Sequence, residues 1–278
     1  MPIIARLVAL YESRGITVAT GLSPTRFAGF PNAPFTWFFK DGASVTNGLG
    51  IAMQEIYFFE CLFARFRPER LFAIGNAAGW STLALALLNP TAQIVAIDAG
   101  FDRNALDGIA FTNRIAAEEA LAARVVEGKS PGDVPRILAE TDLAPLDFVF
   151  IDGYHSIEQV QLDFRAVRPF GAPGCLYLFH DVANFALQPG IDRIVAETGF
   201  VARILPGTTS GMALLYNPAH PPTALDDIAP FAAAPATLGL IEAEAWKHRH
   251  RHLARWRRSL DKRLGRARSG GGFGDGSK

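Results

Sequence analysis

The chain has 278 residues, 49% of them hydrophobic, and its 27 basic residues balance 27 acidic ones. That composition can bury one large core and excludes a disordered or polycationic chain. No run of ~18 uninterrupted apolar residues occurs, which argues against a membrane-spanning helix.

The zero net charge hides an asymmetry: residues 242–278 hold 11 Lys/Arg against 4 Asp/Glu, and residues 1–241 hold 16 against 23. The opening MPIIARLVALYESRG lacks the basic start, long apolar region and small-residue cleavage site of a signal peptide. Cys61 and Cys175 form no metal or redox motif and read as free, buried thiols of a reducing compartment. The expectation is a soluble, cytoplasmic protein.

Residues 1–50 show few periodic signals. FAGFPNAPFTWFF, Phe27 to Phe39, is dense in aromatic rings, and its two prolines argue against a long helix. Its rings read first as packing and second as a cap or pocket wall. Gly50 to Phe66 predicts a helix, with Ile51, Ile56, Phe59, Leu62, Phe63 and Phe66 at roughly helical spacing.

Strands and helices then alternate. RLFAIG predicts a strand, and WSTLALALL a helix stopped by Asn89-Pro90. Ala92 to Asp98 is a second strand, and Arg103 to Ala123 can be helical. Ala123 to Gly128 is a third strand. VPRILAE follows as a short helix with Asp133 as its N-cap. Leu146 to Asp152 is a fourth strand, Ser156 to Val167 an amphipathic helix, and Gly174 to Asp181 a fifth strand. Gln188 to Thr198 predicts a helix, and ARILPG and GMALLYN a closing pair of strands.

Helices between strands imply parallel pairing with right-handed crossovers. Apolar runs such as IVAI, FVFI and LYLF suit strands buried on both faces. The expected fold is α/β: a doubly wound, mostly parallel, seven-stranded Rossmann-like sheet with an antiparallel C-terminal hairpin. N-terminal and basic C-terminal helical additions flank it.

Three segments follow from this: 1–66 as a cap or lid with a helix, 67–217 as the sheet domain, and 218–278. The last holds a Pro/Ala-rich linker or wrapping segment, a basic amphipathic helix over 241–268 and a disordered tail. Trp246, Leu253, Trp256, Leu260 and Leu264 share one face of that helix.

Ligands of open parallel sheets bind at the carboxyl ends of the strands. There the chain carries Gly75 with NAAGWS, then Asp98, then Gly128-Lys129-Ser130. Asp152-Gly153-Tyr154-His155 and His180-Asp181 follow. Asp98 lies 19 residues after Gly79, where an acid can accept hydrogen bonds from ribose hydroxyls or cap a helix.

From about Arg70 to Asn217, slightly over half the chain, this order resembles the class I S-adenosylmethionine-dependent methyltransferases. FIDGYHS followed by LYLFHD is similar to the small-molecule O-methyltransferase branch, which commonly reads F-I-D-G-x-H-S after the fourth strand and H-D after the fifth. Two positions depart from the family pattern. Ala73 stands where an acid is common, and Ala77 where the middle glycine is usual; alanine fits there if its φ is negative.

The resemblance implies a loop of Gly75, Asn76, Ala77, Gly79, Trp80 and Ser81 around the amino-acid end of S-adenosylmethionine. Asn76 and Ser81 would supply polar contacts. Asp98 and Ala99 would lie at the ribose, Gly128, Lys129 and Ser130 near the adenine, and Asp152 between cofactor and acceptor.

The catalytic set is then Asp152, His155, His180 and Asp181, in one of two designs. Either His155 or His180 is a general base, or Asp152 and Asp181, with His180 or Asn184, hold a divalent cation. An oxygen-rich set suits Mg2+, and histidines shift the choice toward zinc, manganese or iron. By resemblance Asp152 matches the first metal ligand and Asp181 a later one. Plainer roles stay open beside these: Asp152 capping a turn, His155 capping the helix near Ser156, and Tyr154 and Trp80 as pocket walls.

The reading is a transferase that methylates a hydroxyl of a small metabolite or sugar. A nicotinamide-dependent oxidoreductase is disfavoured, since positions 77 and 80 hold alanine and tryptophan where G-x-G-x-x-G needs glycine. A non-catalytic scaffold is the third reading. Residues 241–268 suit a solvated helix, an anionic membrane surface or an acidic partner, with nucleic acid ranked below. Self-association stays open.

Overall fold

The computed structural model describes residues 2–46 and 49–250, which fall into two compact units divided after Ala232. In the first unit, α1 (Ile3–Glu12) leads into a small antiparallel sheet of β1 (Thr17–Ala19), β2 (Trp37–Lys40) and β3 (Ala43–Ser44). Residues 1–50 are therefore more regular than their sequence suggests, because α1 and β2 gain their order by burying Leu7, Leu10, Tyr11 and Phe38 in the main core.

After α2 (Met53–Arg65) come β4 (Arg70–Ile74), α3 (Trp80–Leu88), β5 (Gln93–Asp98), α4 (Arg103–Glu118), β6 (Ala123–Glu127) and α5 (Val134–Thr141). The chain continues through β7 (Leu146–Ile151), α6 (Ile157–Val167), β8 (Gly171–Phe179), α7 (Gln188–Thr198), β9 (Val201–Leu205) and β10 (Met212–Tyr216). The seven strands run in the order β6-β5-β4-β7-β8-β10-β9. The first five are mutually parallel, and β10 lies antiparallel to both β8 and β9. This is the expected doubly wound sheet with its C-terminal hairpin.

Side-chain alternation along the strands divides the core into two layers. Leu71, Ala73, Phe148, Phe150, Leu176 and Leu178 face α1 to α4. Phe72, Ile74, Val149, Ile151, Tyr177 and Phe179 face α5 to α7. The chain winds outward from β4 to β6 and then returns through β7 and β8, so the switch of direction falls between β4 and β7. That crevice is where open α/β sheets bind ligands.

Several expected details are corrected. Helix α4 stops at Glu118, short of Ala123, with Ala120 in the left-handed region at φ 52°. Asp133 does not cap α5 through its side chain. Its carboxylate accepts the Lys129 N–H at 2.8 Å and pairs with Arg136 at 3.0 Å instead. Of the two free thiols, Cys175 is buried and Cys61 only half-buried.

Residues 218–232 wrap the core and are no linker: Ala224, Ile228 and Phe231 are buried in it. In the second unit, α8 spans Pro235–Arg249, beginning before the expected start at 241. Leu253, Trp256, Leu260, Leu264 and the glycine-rich end lie outside the described residues. Among the described residues, no helix is long and apolar enough to cross a membrane.

Candidate functional site

The parallel ladder carries the chain directly into the site. Gly75 N–H donates to the Ile97 carbonyl, Asp152 N–H to Ile74, Gly128 N–H to Asp98 and His180 N–H to Ile151, all at 2.8–3.0 Å. The first residues past β4, β6, β7 and β8 are thus fixed by sheet hydrogen bonds.

After β4 the loop turns sharply. Gly75 has φ 96°, and a Cβ there would overlap the Asp152 carbonyl oxygen. Gly79 caps α3 at φ 88°, where a Cβ would strike the Thr112 hydroxyl. Ala77 also lies in the left-handed region, at φ 46°, so the negative φ expected for it is not adopted. Such a backbone strains a residue with a Cβ by about 1 kcal/mol.

The surroundings hold that strain in place. Asp98 Oδ2 accepts the N–H groups of Asn76 and Ala77, each at 2.9 Å, and its Oδ1 accepts Gly100 N–H at 3.1 Å. Asp98 therefore braces the loop and does not cap α4, a task done by Asp102 through Ala105 N–H at 2.8 Å. The Asn76 side chain turns into the scaffold, accepting from Thr82 Oγ1 at 2.9 Å and donating to Thr112 Oγ1 at 3.2 Å. What Asn76 offers the crevice is its backbone.

Past β7 and β8, four side chains converge. One ligand atom from each of Asp152, His155, His180 and Asp181 lies within 4.8 Å of the others. Asp152 Oδ1 is 3.0 Å from His180 Nδ1 and 3.3 Å from His155 Nε2. Asp181 Oδ2 is 3.4 Å from His180 Nδ1 and 3.5 Å from His155 Nε2. Asp181 sits at φ 57°, and Asn184 Nδ2 donates to its Oδ1 at 2.7 Å. The His155 ring stacks on Phe185, with centroids 4.5 Å apart. Ser156, not His155, caps α6 by accepting Gln159 N–H at 3.0 Å.

His180 is 4% exposed. Burial alone would lower its pKa, but the carboxylates of Asp152 and Glu55 outweigh burial and hold it well above the usual histidine value. Burial likewise opposes ionisation of Asp152, yet His180 and His155 keep its carboxyl below the ordinary range. His180 Nδ1, although close to Asp152, makes no hydrogen bond of good geometry.

All of this borders one cavity of about 910 Å³, within the roughly 300–1,000 Å³ typical of small-molecule sites. Its lining includes Gly75 to Ala78, Trp80 and Ser81, then Asp98, Ala99 and Asp102, and Gly128, Lys129, Ser130 and Asp163. Tyr154, His155, Asn184 and Phe185 also line it, with Asn32, Phe35, Thr46 and Leu49 from the N-terminal segment. Every expected site residue except Gly79 thus borders the cavity, Trp80 as a nearly inaccessible wall packed edge-on against Tyr11 and Phe38.

Three contributors were not found in the sequence. Glu55 reaches His180 from α2, with its Oε2 3.0 Å from Nε2. Tyr11 Oη donates to the Ala78 carbonyl at 2.8 Å. Gly108 lets α4 approach the loop, since a Cβ there would overlap the Ala77 carbonyl oxygen. Only Glu55 left a trace: a carboxylate one turn before Phe59, on the apolar stripe of its helix.

Residues 72–182, two-fifths of the chain, match the family model described as a methyltransferase domain. No curated protein matches the chain significantly. Among solved structures, a Staphylococcus aureus protein named as a caffeoyl-CoA O-methyltransferase aligns with TM-score 0.51 and 14% identity, over 60% of this chain and 85% of that one. TomG from Streptomyces achromogenes, an O-methyltransferase of tomaymycin synthesis solved with S-adenosylmethionine, aligns with TM-score 0.47 and 19% identity, over 61% and 82%. An O-methyltransferase from Bacillus cereus, solved with S-adenosylhomocysteine, gives 0.47 and 15%, over 77% and 90%. At 14% identity the first of these likenesses speaks to the fold alone. The family match covers the strands and loops that carry Gly75, Asp98, Asp152 and His180, so residues 72–182 of this chain are similar to a methyltransferase domain.

Proposed function

We propose that the domain methylates a hydroxyl of a small molecule, and that a divalent cation held by Asp152, His180 and Asp181, with His155 beside them, assists. One observation carries the reading: those four side chains converge in the same cavity as the loop braced by Asp98. The residues fit a cation, because His180 Nδ1 is a buried ring nitrogen with no hydrogen bond, flanked by two carboxylates. One imidazole with two carboxylates suits manganese, iron or zinc at least as well as magnesium.

When bound, S-adenosylmethionine supplies a sulfonium methyl group, and a divalent cation supplies Lewis acidity that lowers the pKa of a hydroxyl beside it. The chain supplies position. Backbone groups of Gly75 to Ala78 would border the amino-acid end, Asp98 the ribose, and Gly128, Lys129 and Ser130 the adenine. His180 is buried with its Nε2 turned to Glu55 at 3.0 Å, which argues against it as the free base. His155 is the more exposed imidazole and is read as the group that takes the acceptor's proton, at Nε2. Phe185, stacked on it, fixes the ring.

Isothermal titration calorimetry with S-adenosylmethionine and S-adenosylhomocysteine, with and without Mg2+ or Mn2+, tests this. The expected result is micromolar binding that a cation strengthens when an acceptor is present. Binding of neither compound would refute the assignment, and binding with no cation effect would return the mechanism to a general base alone.

A further inference from the structure

Glu55 lies outside the stretch that matches the methyltransferase domain, yet it is completely buried beside the strand-end cluster. Burying a carboxylate is unfavourable unless its oxygens are matched. Here both are. Oε1 accepts Ser210 N–H at 2.9 Å; Oε2 accepts Ala52 N–H at 2.8 Å and lies 3.0 Å from His180 Nε2. The first two bonds tie the start of α2 to the turn between β9 and β10 and hold the carboxylate still. Phe150 and Phe35 stand edge-on around the His180 ring. The ring therefore has one polar partner on its Nε2 edge, and its Nδ1 edge faces Asp152 and Asp181 without a hydrogen bond.

We propose that Glu55 is a positioning residue for a cation site: by accepting the Nε2–H of His180 it fixes the tautomer and ring orientation that leave the Nδ1 lone pair pointing at the space between Asp152 and Asp181. An outer carboxylate on a ligating imidazole is a general way to fix its tautomer and raise its basicity. The inference rests on the cation reading given above and names the residue that makes His180 a ligand. It also gives the N-terminal segment a chemical part in the site.

Mn2+ binding to the full-length protein, read by the loss of the free-ion electron paramagnetic resonance signal, tests the idea without any turnover. Glu55→Gln is expected to weaken Mn2+ binding about 10- to 100-fold. In a His180→Ala background the same change should add nothing, because its effect runs through the ring. Unchanged affinity in Glu55→Gln, or full additivity with His180→Ala, would overturn the proposal while leaving the cation reading intact. No Mn2+ binding by the unaltered protein, with S-adenosylhomocysteine still bound, would remove the cation reading and this inference together but leave the methyltransferase. Should Glu55→Gln not fold, imidazole ¹⁵N shifts of the unaltered, Mg2+- or Zn2+-loaded protein decide: a protonated Nε2 on His180 supports the proposal, and a protonated Nδ1 refutes it.

Discussion

Ala77 holds the least comfortable backbone of the candidate site. Its φ of 46° is one that glycine adopts freely and alanine does not. Asp98 compensates by taking two successive N–H groups of the loop into one carboxylate oxygen. Ala77→Gly should therefore raise stability by up to about 1 kcal/mol, seen as a higher thermal midpoint, without loss of S-adenosylhomocysteine affinity. A lower midpoint would mean that the methyl group packs usefully and that the strain is smaller than the dihedral suggests. The residues legible in the sequence sit at or just past the carboxyl end of a parallel strand, where the strand pattern alone fixes their place. Asp98, Asp152, His180 and Asp181 were found for that reason. The Asn76 side chain was misjudged because its direction depends on Thr82 and Thr112, which the loop motif does not mention.

Among the secondary elements, the sheet was legible almost strand by strand, since double-sided burial demands continuous apolar runs. The helices that buttress the site were seen as helices but not as parts of it. Gly108 is an example. It is unremarkable in sequence, yet α4 crosses so near the loop that any side chain there meets the Ala77 carbonyl. Gly108→Ala should cost about 1–3 kcal/mol as overpacking. It should also weaken S-adenosylhomocysteine binding, both measurable on one purified variant by denaturant titration and calorimetry. An unaffected variant would show that α4 can withdraw without disturbing the loop. The Glu55–His180 contact joins residues 125 apart in the chain, and no local pattern carries such a pairing. The small sheet of β1 to β3 was missed for a similar reason: its strands are short and take their order from what they cover.

For the whole molecule, the compact unit closes at Ala232, after residues 218–232 have laid Ala224, Ile228 and Phe231 onto the core. A chain shortened to residues 1–232 should unfold cooperatively and bind S-adenosylhomocysteine as the full chain does. A chain cut at residue 217 should lose stability, because it uncovers the Phe58 and Tyr57 rings that pack on Phe231. Equal stability of the two shortened chains would show the wrapping segment to be dispensable. The placement of α2 has a consequence during synthesis. Phe59 and Phe63 pack edge-on against Phe148 and Phe150 of β7, which the ribosome delivers about 85 residues later. At roughly 5–20 residues per second, that interval lasts about 4–17 s. Throughout it the nascent chain displays an uncovered aromatic stripe to the cell, so chaperone contact and translation speed across residues 66–148 bear directly on how much of this protein reaches its folded form.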